Sequence, residues 1–371
     1  MHIAMVVFGD LRFDYRVFRQ ASTLAREGHR VSVVSTVFSD QPLQGWEGIE
    51  LHLIPFERST SLRLAYPAFW RQAAQRLKAL RADAYQAHDL DALWPAGRAA
   101  RQRDVPLVYD SHEFWVEQSS LVNRRLIRGF WGQLERRLIG RAARVMTVSA
   151  SIARSLEQTY GIEEVVLLRN LPLYREPVAS DRIRQELDIG ADRPIVLYQG
   201  GFLTANGLEH QIAAAAHLEG AAFVLLGDGP MEAQLKAQVR HGGLEDKVYF
   251  IDRVPFQELH AYTCSADLGL CLIQGTGKSF YYSLPNKLFE YLIAGLPVLA
   301  SDFPDMGRLV REEGVGRTAD PSDPEAIAQE LMALTGDPQL RQRYGQAARE
   351  AAKRYNWERE AGKLIELYAT L

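Results

Sequence analysis

Thirteen short apolar runs, most of them without polar alternation, constrain this chain more than any other feature. In the first half they fall at Ile3–Phe8, Val31–Ser35, Glu50–Ile54, Ala84–Ala87, Leu107–Tyr109, Val145–Val148 and Val165–Leu168. Helical patterns separate them, among them Val17–Ala25, Tyr66–Leu80, Ala92–Arg101, Asn123–Leu138 and Ile152–Tyr160. A strand apolar on both sides needs cover on both faces, so strands of this kind between helices indicate a parallel sheet sandwiched by helix layers. After Leu171-Pro172 and Glu176–Ser180, read as a linker, the pattern restarts at Ile195–Gln199, Ala222–Leu226, Val248–Ile251, Leu268–Leu272, Val298–Ala300 and Gly316–Thr318. Two doubly wound, Rossmann-like α/β domains are expected, residues 1–175 and 176–356. Ligands of such sheets sit at the carboxyl ends of strands, so the two are expected to face an interdomain cleft.

The 371 residues suffice for two domains of roughly 100–200 residues each. With 47% hydrophobic and 24% charged residues, collagen-like, disordered and coiled-coil chains are excluded. Cys264 and Cys271 are seven apart, which fits neither a zinc motif nor a redox pair, so neither a disulfide scaffold nor a thiolate metal site is expected. No apolar run approaches the roughly 20 residues of a spanning helix. Met1–Phe8 enters Gly9-Asp10 without a basic leader, and the cytoplasm is the expected compartment. Residues 1–175 carry 24 Lys and Arg against 18 Asp and Glu, whereas the rest carries 19 against 28. The basic half is the one expected to meet something anionic.

The loop Gly9–Arg16 follows the first strand and brings Gly9 and Asp14 to the expected cleft. Its bland reading makes Asp14 a helix cap and Arg16 a solvated side chain. His88-Asp89 and Asp110-Ser111-His112-Glu113 end two neighbouring strands. Imidazoles there suit a sugar hydroxyl or a proton transfer, and His112 is favoured. In the stretch 123–144, seven arginines (124, 125, 128, 136, 137, 141 and 144) face only Glu135, while Val122, Leu126, Phe130, Leu134 and Leu138 step by four. This reads equally as a core-packed helix with a wet basic face or as a surface for anionic lipid headgroups. Nucleic acid is not expected, because net charge is −3 and no binding motif is present.

In the second half, Gly200-Gly201 and Gly227-Asp228-Gly229 are strand ends where backbone can approach a phosphate. Ser279–Ser301 is the most informative stretch. It reads as a loop, a helix opening near Pro285, a turn and a buried strand. Lys287 and Glu290, three apart, share a helix face: a cation for phosphate beside a carboxylate for ribose, or simply a surface ion pair.

These residues resemble the family 4 glycosyltransferases, which have the GT-B fold. The resemblance runs through Asp14–Val17, Tyr109–Glu113, Arg169–Pro172, Gly227–Pro230 and the signature Pro285–Ser301. It implies transfer of a sugar from a nucleotide diphosphate donor with retention and without metal or other cofactor, a UDP-sugar being the favoured donor. It also implies Glu290 on the donor ribose, His112 on the donor sugar, and the backbone of Leu284, Pro285 and Asn286 under sugar and diphosphate. Arg253 falls by the base, and segment 357–371 returns to the first domain. His88 is the candidate acceptor contact. The family's first paired Glu falls at Tyr282 and its Arg and Lys fall near Gly201 and Asn206, so Lys287, helped by Lys278 or Arg253, must hold the diphosphate. The acceptor is expected to be a glycan or lipid-linked sugar of surface polysaccharide or glycoconjugate synthesis, with the enzyme peripheral at the inner face of the membrane. A nucleotide-sugar epimerase of the same fold and a catalytically impaired sugar-nucleotide-binding protein are the alternatives.

Overall fold

Each apolar run becomes a strand: β1 (His2–Asp10), β2 (Arg30–Val37), β3 (Glu50–Pro55), β4 (Ala84–His88), β5 (Leu107–Ser111), β6 (Arg144–Thr147), β7 (Val165–Leu167), β8 (Ile195–Gln199), β9 (Ala222–Leu226), β10 (Val248–Ile251), β11 (Leu268–Cys271), β12 (Val298–Ser301) and β13 (Gly316–Ala319). The computed structural model describes residues 1–38, 43–57 and 61–371. The strands pair into two wholly parallel sheets, ordered β3-β2-β1-β4-β5-β6-β7 and β10-β9-β8-β11-β12-β13. In each, the order reverses beside the first strand of the sheet, at β1/β4 and at β8/β11. Loops leaving the carboxyl ends there diverge and open a crevice for a ligand.

The period-2 geometry of a strand explains the apolar runs. Ile195 and Leu197 of β8 enter one buried cluster of the second sheet, and Val196 and Tyr198 enter another. Both faces are dry, so no position in β8 is left for a solvated residue.

The chain divides into two units, Met1–Arg169 with Glu360–Leu371, and Asn170–Arg359. The boundary lies ahead of the expected residue 175, because Leu171 is fully buried in the second unit's core with Ile183 and Tyr291. Helix Trp357–Ala369 is divided as well. Trp357 N donates to Pro172 O in the second unit. From Glu360 onward the helix belongs to the first: Glu360 Oε1 accepts from Arg169 N at 2.7 Å and Lys363 Nζ donates to Leu167 O at 3.0 Å.

Helix Arg125–Ile139 corrects the reading of the arginine-rich stretch. Leu138 is buried and Leu134 half-buried, but Val122, Leu126 and Phe130 are exposed, Leu126 to 91%. A step of four residues turns about 40° further round the helix each time, so such a stripe cannot keep facing one core. Glu135 is not on the basic face. It is fully buried and accepts from the hydroxyls of Tyr109 (2.8 Å) and Tyr160 (2.6 Å), and burial pushes its carboxyl up. Among the described residues no helix is long and apolar enough to cross a membrane.

Candidate active site

In the first unit the carboxyl ends of β4 and β5 place His88 and Asp110 side by side, His88 pairing with Asp110 in the strand register. Both are fully buried. Arg16, on helix Tyr15–Arg26, is 2% exposed and not solvated. Its guanidinium takes Asp110 through Nε at 2.9 Å and Nη2 at 2.6 Å, and Nη1 donates to Leu168 O at 2.9 Å. Asp14 caps that helix by accepting from Val17 N, and this cap fixes where Arg16 begins its reach. Gly9 O accepts from the Ser35 and Thr36 hydroxyls, which ties the first loop to β2.

His112, partly exposed, is flanked by two carboxylates. Nε2 is 3.1 Å from Asp110 Oδ2, and Nδ1 is 3.3 Å from Asp89 Oδ2. Burial opposes its charge, but the two acids prevail and raise its pKa to about 9. Asp110 is also pushed up by burial, yet Arg16 and His112 hold it well below the usual carboxylate range. The same burial drives His88 down and Asp89 up to about 7. Asp89 occupies φ +65°, a region that costs a non-glycine residue about 1–3 kcal/mol. Its amide donating to Asp110 O and its carboxylate accepting from His112 N, both at 2.8 Å, hold it there. Two imidazoles and a carboxylate this close resemble a divalent cation site, but Arg16 already supplies the positive charge on both Asp110 oxygens.

In the second unit, β8 runs into Gly200-Gly201 beside helix Asn286–Ile293, with Pro285 at its cap position. Lys287 and Glu290 share a face but are not paired with each other. Lys287 Nζ lies 3.9 Å from the ring centroid of Tyr198, and among the described residues it makes no ion pair. Glu290 Oε2 accepts from Gln199 Nε2 at 2.6 Å, and Gln199 Oε1 accepts from the Thr263 hydroxyl at 2.8 Å. Gly201 O is held by Tyr198 Oη and by Asn206 Nδ2, so Asn206 shapes this loop. A Cβ on Gly200 would lie 3.2 Å from Lys287 Nζ, and one on Gly227 only 2.0 Å from Gly200 O. These glycines let two strand-end loops and a lysine converge. Leu284 is 8% exposed and its side chain is core, leaving only its backbone to the loop. Asn286 is exposed at the helix start, Arg253 is exposed just past β10, and Tyr282, half-buried, packs on Tyr281.

The structure therefore brings His88 with His112, and Gly200, Gly201, Gly227, Lys287 and Glu290 in a second group. Sequence reading leaves Arg16 between a cleft role and a solvated side chain, and misses Gln20, Gln86 and Gln199 as site residues. Gln86 carried a signal: a polar residue inside the buried run Ala84–His88 must find a partner.

Residues 15–170 match the model described as Glycosyltransferase Family 4, and residues 179–351 the one described as Glycosyl transferases group 1. The chain belongs to glycosyltransferase family 4. This glycosyltransferase is 27% identical over 301 residues to D-inositol 3-phosphate glycosyltransferase of Xylanimonas cellulosilytica, covering 74% of this chain and 70% of that one. It is 25% identical over 334 residues to a GDP-mannose-dependent alpha-(1-6)-phosphatidylinositol monomannoside mannosyltransferase of Mycolicibacterium smegmatis, covering 83% and 82%. A shorter alignment, 34% over 149 residues, relates it to phosphatidyl-myo-inositol mannosyltransferase of Mycobacterium leprae, covering 40% of this chain and 38% of that one. Among solved structures, sucrose-phosphate synthase of Thermosynechococcus elongatus superposes with a TM-score of 0.85 at 20% identity, over 100% of this chain and 98% of that one. Anabaena HepE in complex with UDP-glucose gives 0.79 at 18%, over 100% of both. These likenesses show the GT-B fold of the glycosyltransferase.

Proposed function

We propose that this glycosyltransferase moves a sugar from a nucleotide diphosphate donor, a UDP-sugar, to a glycan or lipid-linked acceptor with retention at the anomeric carbon. The observation that carries the reading is the convergence at the β8 edge: Lys287 Nζ over Gly200, Glu290 set by Gln199, and the start of helix Asn286–Ile293. Lys287 and the amides opening the helix hold the diphosphate, where the helix dipole favours an anion. Glu290 accepts from ribose hydroxyls, and His112 orients the sugar. The C1–phosphate oxygen bond breaks while the acceptor oxygen bonds C1 on the same face, and a phosphate oxygen takes the acceptor's proton. No covalent protein nucleophile is required; the chain positions groups and stabilises charge on the leaving diphosphate. A thermal-shift screen of nucleotide sugars is the test, since a ligand of the folded state raises Tm. Stabilisation by a UDP-sugar, with UDP released only when acceptor is added, is the expected result. Stabilisation by no nucleotide sugar would end this reading.

The acceptor side of the proposal includes an anionic lipid surface. Leu126 and Phe130, one helical turn apart and 91% and 54% exposed, stand among exposed Arg124, Arg125 and Arg137. Apolar tips within a basic field fit a headgroup layer. Leu126→Ser with Phe130→Ser should lower binding to anionic vesicles roughly tenfold, read by co-sedimentation, with Tm unchanged. Equal binding to neutral vesicles would remove the electrostatic part of the proposal.

A further inference from the structure

His88 and His112 lie too close to be comfortably charged together, with His88 Nδ1 3.1 Å from His112 Nε2. The hydrogen bonds behind His88 decide which of them carries the extra proton. Asp110, ionised beside Arg16, only accepts. Gln20 accordingly turns its amide nitrogen to Asp110 Oδ2 at 2.6 Å and its carbonyl oxygen to Gln86. Gln86 meets that oxygen with its own nitrogen, at 2.6 Å, and the second hydrogen of that nitrogen faces His88 Nε2 at 3.1 Å. Gln86 Oε1 is left to accept from the hydroxyl of Tyr368, a residue 282 positions further along the chain. A ring nitrogen that receives an N–H has no proton of its own, so His88 is neutral and carries its hydrogen on Nδ1, 3.1 Å from Asp110 Oδ2. Gln20, Gln86 and His88 are fully buried and Tyr368 is 2% exposed, so water does not replace these partners.

We propose that Gln86, held by Tyr368, is a positioning residue that keeps His88 uncharged and so places the single imidazolium of the pair on His112. This rests on the reading of His112 as the charged group that meets the donor sugar. The charged groups facing the pair are Arg16 and Asp14 at the first helix, Asp89 and Asp91 after β4, and Asp110 and Glu113 at and after β5. Burial lowers His88 while Asp89 and Asp110 outweigh burial at His112, which agrees with the direction of the chain.

Two variants of the full chain test the relay. Gln86→Glu sets a carboxylate against His88 Nε2, which then favours a proton there and draws the charge from His112 to His88. Tyr368→Phe removes one oxygen and loosens the amide, with a smaller effect of the same sign. Nitrogen-15 NMR of histidine-labelled protein without ligand reads the tautomer and midpoint of each ring. The wild type should show His88 as the neutral Nδ1–H form near pH 7. The His112 midpoint should fall by about two pH units in Gln86→Glu and by about one in Tyr368→Phe. The alkaline limb of the KM for donor should move with it. An Nε2–H form of His88 in the wild type, or an unmoved His112 midpoint in folded Gln86→Glu protein, overturns the proposal. Where Gln86→Glu does not fold, an unmoved midpoint in Tyr368→Phe overturns it. Histidines that titrate as described in a protein that binds no nucleotide sugar would instead overturn the proposed function and leave the relay standing.

Discussion

The two units arrive at the carboxyl edges of their sheets with opposite chemistry. In the first, charge is stored inside. Arg16, Asp110 and His88 are at most 2% exposed and satisfy one another, while His112 and Asp89 beside it reach partly to solvent. In the second, the edge is built from backbone and glycine, and Lys287 and Glu290 stay partly exposed, Lys287 over the ring of Tyr198 and Glu290 accepting from Gln199. The difference teaches that function and stability are bound together in one half and separable in the other. A buried ion pair resists the removal of one partner, because the survivor is stranded without water. A half-exposed carboxylate is easily re-solvated.

The sharpest way to break this contrast is Asp110→Asn, which strands Arg16. Urea unfolding of the full chain should show a loss of about 3–5 kcal/mol, and a loss under about 1 kcal/mol would mean the network is not what holds that edge. The pH dependence comes next. Asp110, held below its ordinary value, stabilises at neutral pH, and that contribution fades only as pH falls through its depressed pKa. His112 has the reverse sign: raised from 6.5 to about 9, it stabilises fully below pH 6.5 and loses that contribution as pH rises through 9. The decline amounts to at most about 3 kcal/mol. His112→Asn should flatten it in denaturation curves taken across that window, and a wild type already flat there would show an uncharged ring.

On the second unit's side, Gly227→Ala drives a Cβ into Gly200 O and should cost about 2 kcal/mol and displace the Gly200 loop. Calorimetry should then find nucleotide-sugar affinity lost together with stability. Glu290→Gln is the gentlest. Stability should stay within about 0.5 kcal/mol, while donor affinity falls about 10–100-fold as one charge-assisted hydrogen bond weakens. Tight donor binding by that variant would remove Glu290 from its proposed role.

The sheets were legible in the sequence because their strands are dry on both faces. Runs such as Ile195–Gln199, Ala222–Leu226 and Val248–Ile251 match the observed strands residue for residue. Helix Pro304–Glu313 was passed over although Pro at its start and Gly314 in a left-handed cap mark both ends; it lies between two strands that dominate the reading. The pairing of Lys287 and Glu290 on one face was also readable from their spacing, but not that each faces a residue of β8, since spacing along one helix carries no news of its neighbour. A wet Arg16 stands beside a cleft role in the sequence, because arginine is usually wet. Only the meeting of the first helix with β5 shows otherwise. Tyr368 lies 282 residues further along the chain, and nothing local connects it to Gln86.

The divided helix Trp357–Ala369 bears on how the molecule is made. Domains emerging from the ribosome usually fold in order, the first before the second is complete. Here the first sheet waits for Glu360–Leu371, which follow the whole of the second unit in the chain. Until then Gln86 lacks the hydroxyl of Tyr368, so a nascent chain must shelter a half-finished lobe while its successor folds.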